Sequence, residues 1–325
     1  VIQGVDLSHW NEITDLDRLV KDCDFVYNKC SQGLSVDPRF KERHQAMKGR
    51  TYRGIFHFLD YAQAHYPKGK DLEWGARQAE FVFDLVKDDM PELPIWNDVE
   101  NNEGDLTWER ITSGLFGNIG RVLKVKMGFK LRWKELTGLT EGTYTRLEFA
   151  RHMQNFTDGI LAMARYPYAF MNRSGFVTDF QGLTPGLGAW SDWTFWQYSS
   201  SCRGEFLGLK GKVDCDVFNG DETDWSAFVG KSLPKTLPPV EDEPGPLPIS
   251  VEKCGVVVSA VNVRHGIGTS SPQLYINGRP WVLPKGEQVP VYETKYDTAG
   301  NPWLRIGYQE WIAAEFGGMK LAGIA

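Results

Sequence analysis

The run Leu93-Pro94-Ile95-Trp96-Asn97-Asp98-Val99-Glu100 passes from apolar residues into two acids within a few positions. A short apolar run of this kind reads as a buried strand. Side chains alternate along a strand, so Asp98 and Glu100 share one face, with Cα atoms about 6–7 Å apart. Crowding and desolvation then raise the pKa of one acid and leave a proton donor beside an ionised partner. Glycoside hydrolysis needs that division of labour. An Asp-x-Glu triplet alone is common, and solvated charge at a strand end explains most examples. The weight of this one comes from what surrounds it.

Similar apolar or β-branched runs lie at 3–8, 25–30, 53–59, 142–145, 166–171, 193–199 and 213–218, which with 93–100 makes eight candidate strands. Helical patterns fall between the early ones. Asp37-Pro38 reads as an N-cap and first-turn proline opening a helix to about Lys48. Residues 72–87 set Leu72, Ala76, Ala79, Phe83 and Val86 on one stripe, and 107–127 repeat this with Ile111, Leu115, Ile119, Val122 and Val125. Thr145 and Glu148 fit a capping box for a helix through Arg151. After Tyr166 the chain turns rich in Gly, Ser and Pro and loses helical periodicity. Strand–helix alternation predicts an α/β domain with a parallel sheet, and eight strands can close into a barrel. A doubly wound open sheet is the alternative, but no Gly-x-Gly-x-x-Gly follows the first strand.

In such barrels the active site lies at the C-terminal strand ends. Asp6 falls there on the first strand, Asp98 and Glu100 on the fourth, and Asp214 and Asp216 near the eighth. Singly, Asp6 could cap a helix, and Asp214 and Asp216 could hold a turn. Tyr61, Tyr144 and Trp196 are candidate platforms for pyranose rings, and Gln197 a candidate partner for hydroxyl or acetamido groups. For any one ring, core packing is the simpler role. His57, between Phe56 and Phe58, reads as a structural hydrogen-bonder.

Composition bounds the rest. The chain has 325 residues, 42% hydrophobic and 24% charged, which suits a sizeable core and excludes a disordered or collagen-like chain. Aromatics reach 13% and the net charge is −6. No basic cluster offers to neutralise phosphates, so no nucleic-acid partner is expected. No apolar run is long enough to cross a bilayer, and no membrane insertion is expected. The start at Val1 lacks a signal-peptide pattern. The cysteines at 23, 30, 202, 215 and 254 form no Cys-x-x-Cys pair and read as buried apolar residues; a Cys202–Cys215 disulfide is permitted but not demanded. No metal site and no cofactor are expected.

Prolines crowd at Pro234, Pro238, Pro239, Pro244, Pro246 and Pro248, which predicts an extended linker over 231–250 between domains at 1–230 and 251–325. The large domain carries net −6, the linker −1 and the C-terminal segment +1. That segment reads as short strands with Gly/Pro turns, and Asn277-Gly278 signals a two-residue hairpin.

The large domain resembles the family 25 glycoside hydrolases, the Chalaropsis-type lysozymes. The resemblance rests on Gly4-Val5-Asp6-Leu7-Ser8, Phe25-Val26-Tyr27-Asn28-Lys29 with Gln32-Gly33, and Gly54-Ile55-Phe56-His57-Phe58. It continues in Asp98-Val99-Glu100, Trp196-Gln197-Tyr198 and Val213-Asp214-Cys215-Asp216. It implies an incomplete TIM-like (β/α)5(β)3 barrel that cleaves the β-1,4 bond between N-acetylmuramic acid and N-acetylglucosamine in peptidoglycan. Glu100 would be the general acid and Asp98 the second carboxylate, with Asp6 and Asp214 completing the cluster. Asn97 departs from the family, which more often has an apolar residue there. Residues 251–325 resemble bacterial SH3-type wall-binding domains through Val261-Asn262-Val263-Arg264, Leu283-Pro284-Lys285-Gly286, Trp303-Leu304-Arg305-Ile306-Gly307 and Glu310-Trp311-Ile312. The combination resembles a bacteriophage endolysin. It implies a monomer held in the host bacterial cytoplasm until holin-dependent release, with peptidoglycan as substrate and a cell-wall ligand for the small all-β barrel. A non-catalytic wall-binding protein on this fold, or a chitinase-like glycosidase, are the competing readings.

Overall fold

The computed structural model describes residues 1–100, 116–232 and, with short breaks, 253–324. The chain divides into two compact units, Val1–Pro238 and Pro239–Ala325. The proline-rich segment lies outside the described residues from 233 onward, and its first two positions are helical.

Eight strands of the first unit close on themselves. They are β1 (Gln3–Leu7), β2 (Phe25–Gln32), β3 (Tyr52–Phe58), β4 (Trp96–Val99), β5 (Gly142–Arg146), β6 (Leu161–Ala164), β7 (Phe195–Arg203) and β8 (Lys212–Phe218). β1 to β7 run parallel in sequence order. β8 is antiparallel to both β7 and β1 and seals the ring. Helices α1 (Leu16–Asp22), α2 (Phe40–Ala46), α3 (Asp71–Val86), α4 (Phe116–Thr137) and α5 (Leu147–Ala150) follow the first five strands in turn, and α6 (Glu222–Ser232) follows β8. Between β6 and β8 the described helical segments are single 3₁₀ turns.

Large rings fill the barrel. Tyr27 stacks on Trp96 at 3.5 Å, Trp96 on Tyr144 at 5.9 Å, and Phe25, Phe195, Phe218 and Trp225 pack together in the same cluster. Two glycines make room for them. A Cβ on Gly4 would sit 2.5 Å from the Phe25 ring, and one on Gly54 would sit 2.3 Å from the Tyr27 ring. The barrel wall therefore takes large rings where its own side chains are missing.

Several local expectations shift. The sixth strand is Leu161–Ala164, not 166–171. Pro167 interrupts the aromatic run, and Tyr168–Phe170 is a 3₁₀ turn, while a plain Leu-Ala-Met-Ala segment supplies the buried strand. The buried face of α3 is Asp71, Trp74, Gly75, Gln78, Ala79, Val82 and Val86, rotated from the apolar stripe because Asp71 and Gln78 are buried as hydrogen-bonding groups. α4 buries Ile119, Val122 and Val125 as expected and runs on to Thr137; positions 107–115 lie outside the described residues. Thr145 caps no helix. Its hydroxyl donates to the Val99 carbonyl at 2.7 Å. α2 starts at Phe40, and Asp37 instead accepts from the Arg39 and His9 amides at 3.0 Å.

The second unit is all-β in its described residues. Short antiparallel pairings include Lys253–Val257 with Gln288–Val291 and Glu293–Tyr296 with Pro302–Gly307. Its core holds Val257, Val261, Val263, Leu283, Trp303, Leu304, Trp311 and Ile312. Ile276 pairs with Arg279 across the two positions of the Asn-Gly signal.

Candidate active site

The C-terminal ends of β1, β4 and β5 meet the start of β8. Asp6 pairs directly with Asp214 across β1 and β8, and Asp98 pairs with Tyr144 across β4 and β5. The barrel thus gathers acids from strands far apart in sequence.

Their protonation follows from burial. Asp98 is 4% exposed, and its Oδ1 has no hydrogen-bond partner among the described residues. Burial, then the charge of Glu100, pushes its pKa well up, against the opposing pull of Lys29. Glu100 is also raised by burial, while Arg146, whose Nε lies 3.4 Å from Oε1, pulls it down. About a quarter of the Glu100 side chain remains exposed, so it is open to a ligand. Asp214 is raised by burial and by Asp6 and Glu100.

Asp216 joins this group. It is fully buried, and neither oxygen meets an N–H or hydroxyl donor among the described residues. Burial, then the charges of Asp6 and Asp214, push its pKa well up. Asp6 is itself raised to about 6, chiefly by burial. Sequence reasoning placed Asp216 in a motif without giving it a role; its i, i+2 spacing from Asp214 was the available signal.

Gln197 is already committed. Its Oε1 accepts from Tyr144 at 2.8 Å and from the Tyr166 hydroxyl, and its Nε2 donates to Asp6 Oδ2 at 2.5 Å. It acts as a positioning residue for Asp6. Tyr61 is fully buried and donates to the Glu100 backbone carbonyl. Trp196 is fully buried in a different cluster, with Val5, Leu7 and Val26, and its Nε1 donates to the Arg165 carbonyl at 2.8 Å. Tyr144 is 7% exposed. None of the three rings expected to stack on sugar presents an open face. Among the described residues, exposed rings that follow barrel strands at this end are Trp10, after β1, at 84%, and Tyr168, after β6, at 92%.

His57 is structural. Gln78 Oε1 also accepts the Asp60 amide, so it takes a proton from His57 Nε2 at 3.0 Å. His57 Nδ1 then accepts from Ser31 at 2.8 Å, and burial holds the imidazole neutral with a pKa of about 3. Asn97 is fully buried on the opposite face of β4 from Asp98, with neither amide atom partnered among the described residues. Cys202 and Cys215 are free thiols in hydrogen-bond contact.

The model of the family described as "Glycosyl hydrolases family 25" matches residues 5–205. A protein of Escherichia coli O157:H7, "Uncharacterized protein YegX", is 26% identical over 236 residues, spanning 70% of this chain and 73% of its own. The bacterial lysozyme of Streptomyces coelicolor superposes with a TM-score of 0.54 at 20% identity, over 71% of this chain and 98% of that one. The catalytic domain of endolysin ply40 from bacteriophage P40 of Listeria monocytogenes gives 0.50 at 17% identity, over 71% and 96%.

Proposed function

Because the chain belongs to the glycosyl hydrolases of family 25, we propose that it is a peptidoglycan muramidase working as an endolysin. The observation that carries this reading is the Asp98–Glu100 pair at the open barrel end, both raised by burial, with Glu100 reachable from solvent. Glu100 gives its proton to the glycosidic oxygen as that oxygen leaves the anomeric carbon of N-acetylmuramic acid. Asp98 accepts a hydrogen bond from the N–H of the substrate's own acetamido group, whose oxygen bonds to the anomeric carbon as the glycosidic oxygen leaves. Water then displaces that oxygen at the anomeric carbon, and its proton returns to Glu100. Asp6 and Asp214 set the field around the pair. Tyr61 and Gln197 hold Glu100 and Asp6 in place, and Tyr144 orients Gln197.

The all-β second unit is read as an SH3-type wall-binding module. A weak wall ligand there raises the effective concentration of the active site on a polymeric substrate. Digestion of purified walls, reduction of the new ends and mass spectrometry test the activity. Muramitol is expected; glucosaminitol, or no reducing ends, would refute the muramidase reading. A fluorescent fusion of residues 251–325 should label susceptible cell walls, and failure to label removes the binding role.

A further inference from the structure

A cleft of about 450 Å³ opens beside the acids, at the C-terminal ends of β1, β2 and β3. Strand register joins the two places: Gln32, which lines the cleft, pairs with Phe58, and Phe58 pairs with Asp98 on the next strand. The walls are mixed. Leu34 and Val36 supply apolar surface, and Lys29 and Gln32 supply polar heads held 3.0 Å apart.

Two imidazoles are fixed at the cleft. His9 Nδ1 lies 2.8 Å from Asp37, and His65 Nδ1 lies 2.7 Å from Asp60. Both carboxylates are buried, so each ring is tethered at Nδ1, and among the described residues Nε2 is left for a ligand. The volume is that of a small-ligand site with a few placed polar groups. The lining argues against a sugar. Its one large ring, Trp74, is 6% exposed, stacks on Tyr66 and donates Nε1 to the Asp60 carbonyl, so no pyranose can lie on it.

We propose that this cleft seats the peptide that muramic acid carries on its lactyl group. The proposal rests on the muramidase reading. A short peptide matches the lining: small apolar side chains against Leu34 and Val36, amide groups for Gln32 and the imidazoles, and a carboxylate for Lys29. The covalent branch explains the position, because a substituent of the sugar held at the acids must leave next to them.

The test compares two substrates by release of reducing ends: wall glycan bearing its peptides, and the same glycan stripped of them by an amidase. The wild-type protein is expected to show a kcat/KM about tenfold higher on the peptide-bearing glycan. Ser35→Trp, on the exposed edge pairing with Gln32, fills the cleft and should bring the ratio of the two kcat/KM values close to one. His65→Ala should lower the same ratio and serves if Ser35→Trp fails to fold, as judged by thermal melting. Cleavage of the stripped glycan supports the muramidase reading on its own. Equal wild-type efficiency on both substrates, or a folded variant that keeps the full preference, overturns the peptide seat alone. No cleavage of either substrate overturns both readings.

Discussion

Replacing Asp6 with Asn should stabilise the barrel while impairing catalysis, and the stabilisation should depend on pH. The Asp6 carboxyl is held at about 6 instead of 3.8, chiefly by burial. Between those values the folded chain keeps a proton that the unfolded chain has released, so stability falls as pH rises. Below 3.8 both states are protonated and the penalty is absent. Above about 6 it is complete, at about 3 kcal/mol. Asn retains an acceptor for Gln197 Nε2 and has no charge to desolvate. The variant should therefore gain up to about 3 kcal/mol at pH 8 and almost nothing at pH 3.5. For a unit of this size that corresponds to a rise of roughly 6–12 °C in Tm. Near-ultraviolet circular dichroism follows the barrel through the Tyr27–Trp96 stack, on top of a contribution from Trp303 and Trp311 of the second unit that is common to both proteins. A Tm difference that is the same at both pH values, or an Asn variant less stable at pH 8, would refute the argument.

Other outcomes test the chemistry. Glu100→Gln should abolish wall lysis while leaving thermal stability and wall binding intact; full activity removes Glu100 as the acid, and unimpaired turnover in Asp98→Asn removes the second carboxylate. Arg146 pulls the Glu100 pKa down, so Arg146→Met should move the alkaline limb of kcat/KM to higher pH; an unmoved limb shows that another group carries the proton. Trp10→Ala should raise KM for wall glycan roughly fivefold, the loss of about 1 kcal/mol of ring stacking, with kcat little changed; an unchanged KM removes Trp10 from the glycan path.

What the sequence showed was local. The expected strand is there as β4, but it ends at Val99, so it carries Asp98 and leaves Glu100 one residue past its end. Partnerships that span the chain had no local signal. Gln197 and Asp6 are 191 residues apart, and the bond between them decides what Gln197 does. The burial of Trp196 away from the acids is legible on local grounds. Neighbours on a strand face opposite ways, so if Gln197 faces the acids, Trp196 cannot. α1 has no stripe to read, because seven residues give too few turns; α2, equally short, is signalled by Asp37-Pro38, and the corresponding trace for α1 is its Asp15 cap accepting the Arg18 amide. The α3 stripe was misplaced because periodicity counts apolar residues, whereas that helix buries Gln78 to serve His57 and Asp60.

The aromatic filling and the acidic mouth are one device. Among the described residues, the cations acting on the cluster of Asp6, Asp98, Glu100, Asp214 and Asp216 are Lys29 and Arg146, and both act on Asp98 and Glu100. Five ionised carboxylates would outnumber these two cations above a stack of Tyr27, Trp96 and Tyr144 whose ring faces exclude water. Burial is the first cause of every raised pKa in the cluster. The rings, by excluding solvent, therefore push every acid of the cluster toward its protonated form. Glycines at 4 and 54 admit the bulk of Phe25 and Tyr27 into that filling. A Cβ at Gly54 would thus act on catalysis without touching substrate: by displacing Tyr27 it would let water reach the floor of the site and lower the raised pKa values, which a shift of the alkaline limb of kcat/KM to lower pH would show.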